Sequence, residues 1–219
     1  MTRIVVVGGN GKTGRAVRAA VPDARAVGRA DWPDLATALE DCDAVYLVAP
    51  NLHPDEPAYV DEVVRACAAA GVRRLVYHSV ASPYVPAMPH HLGKAVSEDR
   101  VRRSALAWTI LQPGAYLQNL DLSGPTLDVP YDVDARFGFL DLADLGAAAA
   151  RVLLDDGHDG ATYELASRQA TVAELAAEAG IVARRVPDPG THPWLSAMFA
   201  YYDRHGLPVG TLPLRALLG

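Results

Sequence analysis

Cysteine is scarce. Cys42 and Cys67 are the only two in 219 residues, and they form no CxxC pair. That argues against a structural zinc site and fits a reducing compartment. No apolar run approaches the roughly 20 residues that span a bilayer. The start, Met1-Thr2-Arg3, leads directly into a strand-like run without a signal-peptide layout. A soluble, cytoplasmic protein without a membrane partner is expected. A basic excess is missing too: 20 Lys and Arg against 26 Asp and Glu leave a net charge of −6, which speaks against nucleic acid as a partner. Internal repeats, low-complexity tracts, HExxH and GxSxG are all absent, which removes zinc-protease and α/β-hydrolase chemistry. The histidines are scattered and only His90 and His91 adjoin, so no metal site is expected.

The composition is that of a globular chain, 50% hydrophobic and 21% charged, long enough to bury a core without metal or disulfide staples. Short apolar runs alternate with helical patterns. Ile4 to Val7, Ala24 to Val27, Ala44 to Ala49, Arg73 to Val80 and Trp108 to Gln112 read as strands. Thr13 to Ala20, Asp34 to Glu40, Asp55 to Ala70 and His90 to Ser104 read as helices. Such alternation implies βαβ units and a parallel sheet. After Gly114 the texture changes. Leu117 to Arg136 is loop-rich. Asp141 caps a helix to Leu154, Thr162 to Ala166 is a short strand, and Thr171 to Glu174 is a capping box. Arg184 to Gly190 reads as a loop. Trp194, Met198, Tyr201 and His205 then share a helical face, which predicts a helix covering the core, or more sharply a pocket lid or a dimer surface. The one seam divides 1–115 from 116–219, a smaller region packed on it.

Gly8, Gly11 and Gly14 follow the first strand and open the first helix. One glycine permits the turn, one lets a pyrophosphate approach the backbone, and one lets helix pack on strand, while the helix N-terminus offers N–H groups to phosphate. A Walker A reading of Gly11-Lys12-Thr13 fails, because the position that motif requires to be glycine is Val6. Arg29 follows the second strand, where an NAD site usually carries an acid. An arginine there suits a 2′-phosphate, Lys12 could add charge, and neighbouring Asp31 is the argument for NAD.

Together these residues resemble the NmrA-like group of atypical short-chain dehydrogenases/reductases. The matching pieces are VVVGGNGKTGRAV, AVGR, DAVYLVAP, RRLVYHSVAS, HHLGKAVSEDRVRRS, WTILQPGAYLQNL, FLDLADLGAAAARVL, and GATYELAS followed by TVAELA. The resemblance implies an α/β Rossmann-type doubly wound parallel sheet with a small C-terminal α/β substrate region. It also implies NADP(H) as cofactor, held by Gly8, Asn10, Gly11, Lys12, Thr13, Gly14, Arg29, Ala49, Pro50, Lys94, Pro113 and Gly114. His90 stands where many short-chain dehydrogenases carry the tyrosine of a Tyr-x-x-x-Lys pair.

Reducing a carbonyl needs a hydride and a proton or positive charge at the oxygen. By the resemblance, Lys94 lies near the nicotinamide ribose, and Ser79 stands where a serine orients the substrate. His90, on the Lys94 helix face with an ordinary pKa near 6.5, is one candidate proton donor. Tyr116 is the other. The expectation is an NADPH-dependent reductase of a carbonyl, quinone or activated alkene in a small molecule. A non-enzymatic NADP(H) sensor and a redox-neutral epimerase are the alternatives, and a homodimer is a possible assembly.

Overall fold

All four residues of Ile4–Val7, strand β1, are buried, as a parallel strand covered on both faces requires. The computed structural model describes residues 2–219. Next come α1 (Lys12–Ala20), β2 (Arg25–Val27), a 3-10 turn (Arg29–Asp34), α2 (Leu35–Ala38), β3 (Ala44–Leu47), α3 (Glu56–Ala69), β4 (Arg74–His78), α4 (Pro89–Arg102) and β5 (Ala107–Pro113). The second half adds β6 (Ala115–Tyr116), β7 (Thr126–Val129), β8 (Phe137–Leu140), α5 (Leu142–Leu154), β9 (Ala161–Leu165), β10 (Arg168–Ala170), α6 (Val172–Glu178), β11 (Val182–Arg185), α7 (Pro193–His205) and α8 (Leu212–Leu218).

Six strands form one parallel sheet in the order β2-β1-β3-β4-β5-β9. The order reverses between β1 and β3, the switch point of a Rossmann sheet, and ligands bind there beyond the carboxyl ends of the strands. The period-2 pleat divides the side chains. Val6, Tyr46, Val76 and Leu111 join the core under α1 and α5, whereas Val5, Val45, Leu75 and Ile110 join that under α3 and α4. Each such residue contributes about 1.5–3 kcal/mol by burial. A third cluster around Phe137, Phe139 and Tyr202 holds the C-terminal region.

The seam at residue 115 does not separate the layers. Strand β9 pairs with β5, and α5 lies so close on α1 that a Cβ at Gly146 would stand 2.8 Å from the Ala16 carbonyl oxygen. The Rossmann layer therefore draws on both halves. The remainder is a β10-β8-β6 sheet and a β11-β7 pair flanked by α6 and α7. Several elements escape the sequence reading: the short strands β6 and β10, strand β7 inside the stretch from Leu117 to Arg136 expected to be loop-rich, and β8, β11 and α8. Strand β8 is buried at every position and shows no alternation. Strand β11 is largely exposed, pairs only with β7, and overlaps the loop expected from Arg184. Helix α8 has a single buried residue, Leu214. Both predicted caps form: Ala143 N–H donates to Asp141 at 2.7 Å, and Thr171 and Glu174 exchange bonds of 3.0 and 2.8 Å. Among the described residues no helix is long and apolar enough to cross a membrane.

Candidate active site

The carboxyl ends of β1, β3, β4 and β5 open onto one cleft of about 1930 Å³ that reaches α7. At one end Gly8 turns the chain with φ 79°, and a Cβ there would sit 2.3 Å from the Val48 carbonyl oxygen. At Gly14 a Cβ would lie 2.4 Å from the Gly8 carbonyl oxygen, so that glycine lets α1 pack on the loop. Gly11 is exposed and begins α1 with no side-chain cap and no acidic residue in the first turn. The helix thus presents unneutralised N–H groups, the setting that binds phosphate. Exposed Arg29 flanks the same cleft with no side-chain partner among the described residues, while the Asp31 carboxylate is engaged by the Gly28 N–H at 2.8 Å. The donor set fits a dinucleotide whose ribose carries a 2′-phosphate. Lys12 is less free than expected: it reaches across to the Asn119 side chain and lies 5.8 Å from the Tyr116 ring centre.

Strand β4 carries two polar groups to opposite faces, as successive strand residues must. On one face Tyr77 and Lys94 both donate to Glu56 Oε1, each at 2.7 Å, and Lys94 also donates to the His78 carbonyl at 3.2 Å. Glu56 and Lys94 are both buried, and Glu56 Oε2 has no protein partner. On the other face His78 Nδ1 lies 2.7 Å from the Tyr46 hydroxyl and its Nε2 lies 2.8 Å from the Tyr116 hydroxyl. Register explains this meeting. Tyr46 pairs with Val76, so His78, two residues on, points to the same side. Burial holds the His78 imidazole neutral, down to about 3, with the Lys94 charge adding to the effect. Burial also raises the Tyr46 phenol well above its ordinary value and raises that of Tyr116, which the nearby Thr13 hydroxyl partly opposes. Tyr116 therefore carries its proton at neutral pH.

Every residue expected to bind the cofactor or act in catalysis borders this cleft, but, besides Lys12, three differ in state from the expectation. Ser79 is 2% exposed and donates to Glu98 Oε1 at 2.6 Å. Its hydroxyl belongs to a buried polar cluster in which Gln112 and Arg102 also bind Glu98. His90 is no surface imidazole poised near neutrality. Burial first, then the Lys94 charge, brings it down to about 3, and its ring lies 6.3 Å from that of Trp194. Neutral at pH 7, it is a poor proton donor. Lys94 is not a free cation but half of a buried ion pair. Ala49 and Pro50 follow β3, Pro113 ends β5 and Gly114 follows it. A Cβ at Gly114 would meet the Gly138 carbonyl oxygen at 2.1 Å, so that glycine also permits a close crossing of strands. Tyr46, Glu56, His78 and Glu98 went unnoticed in the sequence. The available signal was a titratable residue inside an apolar run, as at Tyr46 and His78.

The far wall of the cleft is apolar and aromatic, built by Leu127, Tyr131, Phe137, Met198, Phe199 and Tyr202. Helix α7 thus both covers the third core cluster and borders the cleft.

A family described as NAD(P)H-binding matches residues 18–156. The chain is 30% identical over 159 residues to an NAD(P)H azoreductase of Xenophilus azovorans, an alignment covering 69% of this chain and 55% of that protein. It spans about half the length of the curated relatives it matches. Among solved structures, an NADPH-dependent quinone oxidoreductase of Escherichia coli complexed with NADPH superposes with a TM-score of 0.82 at 22% identity, over 99% of this chain and 94% of that one. NmrA, a negative transcriptional regulator in complex with NAD, superposes with a TM-score of 0.77 at 19% identity, over 99% and 91%. With the glycine loop at the switch point and the strand order in agreement, the family match over more than half of its length places the chain in the NAD(P)H-binding family.

Proposed function

We propose that the protein is an NADPH-dependent reductase of a flat, apolar acceptor such as a quinone, with Tyr116 as the proton donor. The observation that carries this reading is the position of the Tyr116 phenol. It lies beside Thr13 of the glycine loop and borders the same cleft as the aromatic wall of β8 and α7. Bound NADPH supplies a hydride. Gly8, Gly11 and the start of α1 take the pyrophosphate, Arg29 takes the 2′-phosphate through charge-assisted hydrogen bonds, and Ala49, Pro50, Pro113 and Gly114 line the sugar and nicotinamide path. Lys94, which borders the cleft at the end of β4, would help to hold the nicotinamide half of the cofactor. Its charge is balanced by Glu56, which fixes its position and leaves Tyr116 to protonate the acceptor oxygen. The Tyr116 O–H bond breaks, the acceptor gains one hydride and one proton, and a quinone becomes a hydroquinone. A closing wall of Phe137, Met198 and Phe199 keeps water from the reacting centre. Reduction by relatives bearing the azoreductase and quinone oxidoreductase names supports the same class.

The test is NADPH oxidation with a panel of benzoquinones and naphthoquinones. Wild-type protein should turn over at least one of them, and Tyr116→Phe should lose about 100-fold or more in kcat with NADPH affinity unchanged. NADPH binding without turnover of any acceptor would instead favour the sensor reading.

A further inference from the structure

The chain Tyr46–His78–Tyr116 poses a question of direction, because both partners of the imidazole are hydroxyls, and a hydroxyl can donate or accept. His91 shows the simpler case. Its Nδ1 lies 3.2 Å from the Ser82 carbonyl oxygen, which can only accept, so Nδ1 carries the hydrogen. For His78 burial decides. Tyr46 is fully buried and His78 is its one hydrogen-bond partner among the described residues. If Nδ1–H donated to Tyr46, the Tyr46 hydrogen would be buried without an acceptor, an expensive arrangement. If Tyr46 donates to Nδ1, nothing is left unsatisfied there. A neutral imidazole then holds its single hydrogen on Nε2, which faces Tyr116.

We infer that Tyr46 is a positioning residue: by donating to His78 Nδ1 it sets the imidazole tautomer, so that Nε2–H donates to the Tyr116 oxygen and the Tyr116 hydrogen is turned into the cleft. The inference rests on Tyr116 as proton donor and adds two consequences. The Tyr116 hydrogen is kept from bonding back onto His78. The phenolate left after proton transfer already has a hydrogen-bond donor in place, where preorganisation counts most. The other titratable group facing His78 is Lys94, whose ammonium reaches its backbone carbonyl and adds to the pressure for a neutral ring.

The experiment is nitrogen NMR of the full-length protein labelled with 15N-histidine, with the His78 signals assigned by comparison with His78→Gln. Wild type should show His78 with a protonated Nε2 and a bare Nδ1. Tyr46→Phe, which keeps the ring and removes only the hydroxyl, should shift His78 toward the Nδ1–H form. It should also lower kcat about tenfold or more with KM and NADPH affinity within about twofold, a split that loss of packing would not produce. Tyr116→Phe should leave the tautomer as in wild type. An Nδ1–H tautomer in wild type, or one that ignores Tyr46→Phe yet flips in Tyr116→Phe, would overturn the inference. Because the tautomer is read without substrate, absence of quinone turnover would sink the reductase reading alone and leave this result standing.

Discussion

Ser79 and Tyr116 both border the cleft, yet their hydroxyls face different partners. The Ser79 hydroxyl donates to Glu98, a carboxylate with no exposure that also receives Gln112 at 2.7 Å and Arg102 at 3.1 Å. Among the described residues the Tyr116 hydroxyl bonds His78 and has the Thr13 hydroxyl nearby. Ser79→Ala should therefore cost about 1 kcal/mol of stability, the usual net worth of one hydrogen bond, and change quinone turnover by less than about threefold. Urea unfolding together with steady-state kinetics measures both. A loss in kcat as large as that of Tyr116→Phe would return Ser79 to the reacting centre.

Helices α3 and α4 meet through Glu56 and Lys94, both buried, and the only further partners of the pair among the described residues are neutral, the Tyr77 hydroxyl on Glu56 and the His78 carbonyl on Lys94. Removing one member of such a pair leaves an uncompensated buried charge, at about 3–5 kcal/mol. Glu56→Leu and Lys94→Met should each destabilise by that order. The double variant should be less destabilised than the sum of the two, since neither charge is then stranded. Additive losses in a double-mutant cycle would mean that the two groups do not interact. The strands and helices of the first half were readable from their residues because each is a short apolar or periodic run bounded by glycine or proline, as Ile4–Val7 is by Gly8 and Ala44–Leu47 is by Ala49-Pro50. Glu56 was hidden for the opposite reason. It sits at the first turn of α3, beside its cap Asp55, where an acidic residue is commonplace, and only the packing of α4 reveals its partner 38 residues on.

In the whole molecule, three histidines are buried neutral: His78 and His90 are held down to about 3 and His91 to about 4, mainly by desolvation. An unfolded chain protonates its histidines near 6.5. Their contribution is thus fully present above that pH and is lost as pH falls through the folded values of about 3 to 4, with a limit of about 1.4 kcal/mol per pH unit for each ring. The urea midpoint should fall steadily between pH 7 and pH 5, before ordinary carboxylates titrate. A flat profile over that window would show the rings to be solvated. The fold and the cofactor end of the cleft were legible because glycine spacing and strand punctuation are local. The proton-handling end was not, since Tyr46 and His78 meet through the register of β3 on β4, and Tyr116 joins them from β6, in the second sheet.

In the proposed reading the switch-point cleft takes NADPH and Arg29 reads its 2′-phosphate. Calorimetric titration with NADPH and NADH, on wild type and Arg29→Ala, tests it most directly. Wild type should bind NADPH in the micromolar range and NADH at least about tenfold more weakly, and Arg29→Ala should weaken NADPH by roughly 10- to 100-fold, the worth of charged hydrogen bonds, while leaving NADH nearly unchanged. Equal binding of the two cofactors by wild type, or of neither, would overturn the assignment of Arg29 to the 2′-phosphate.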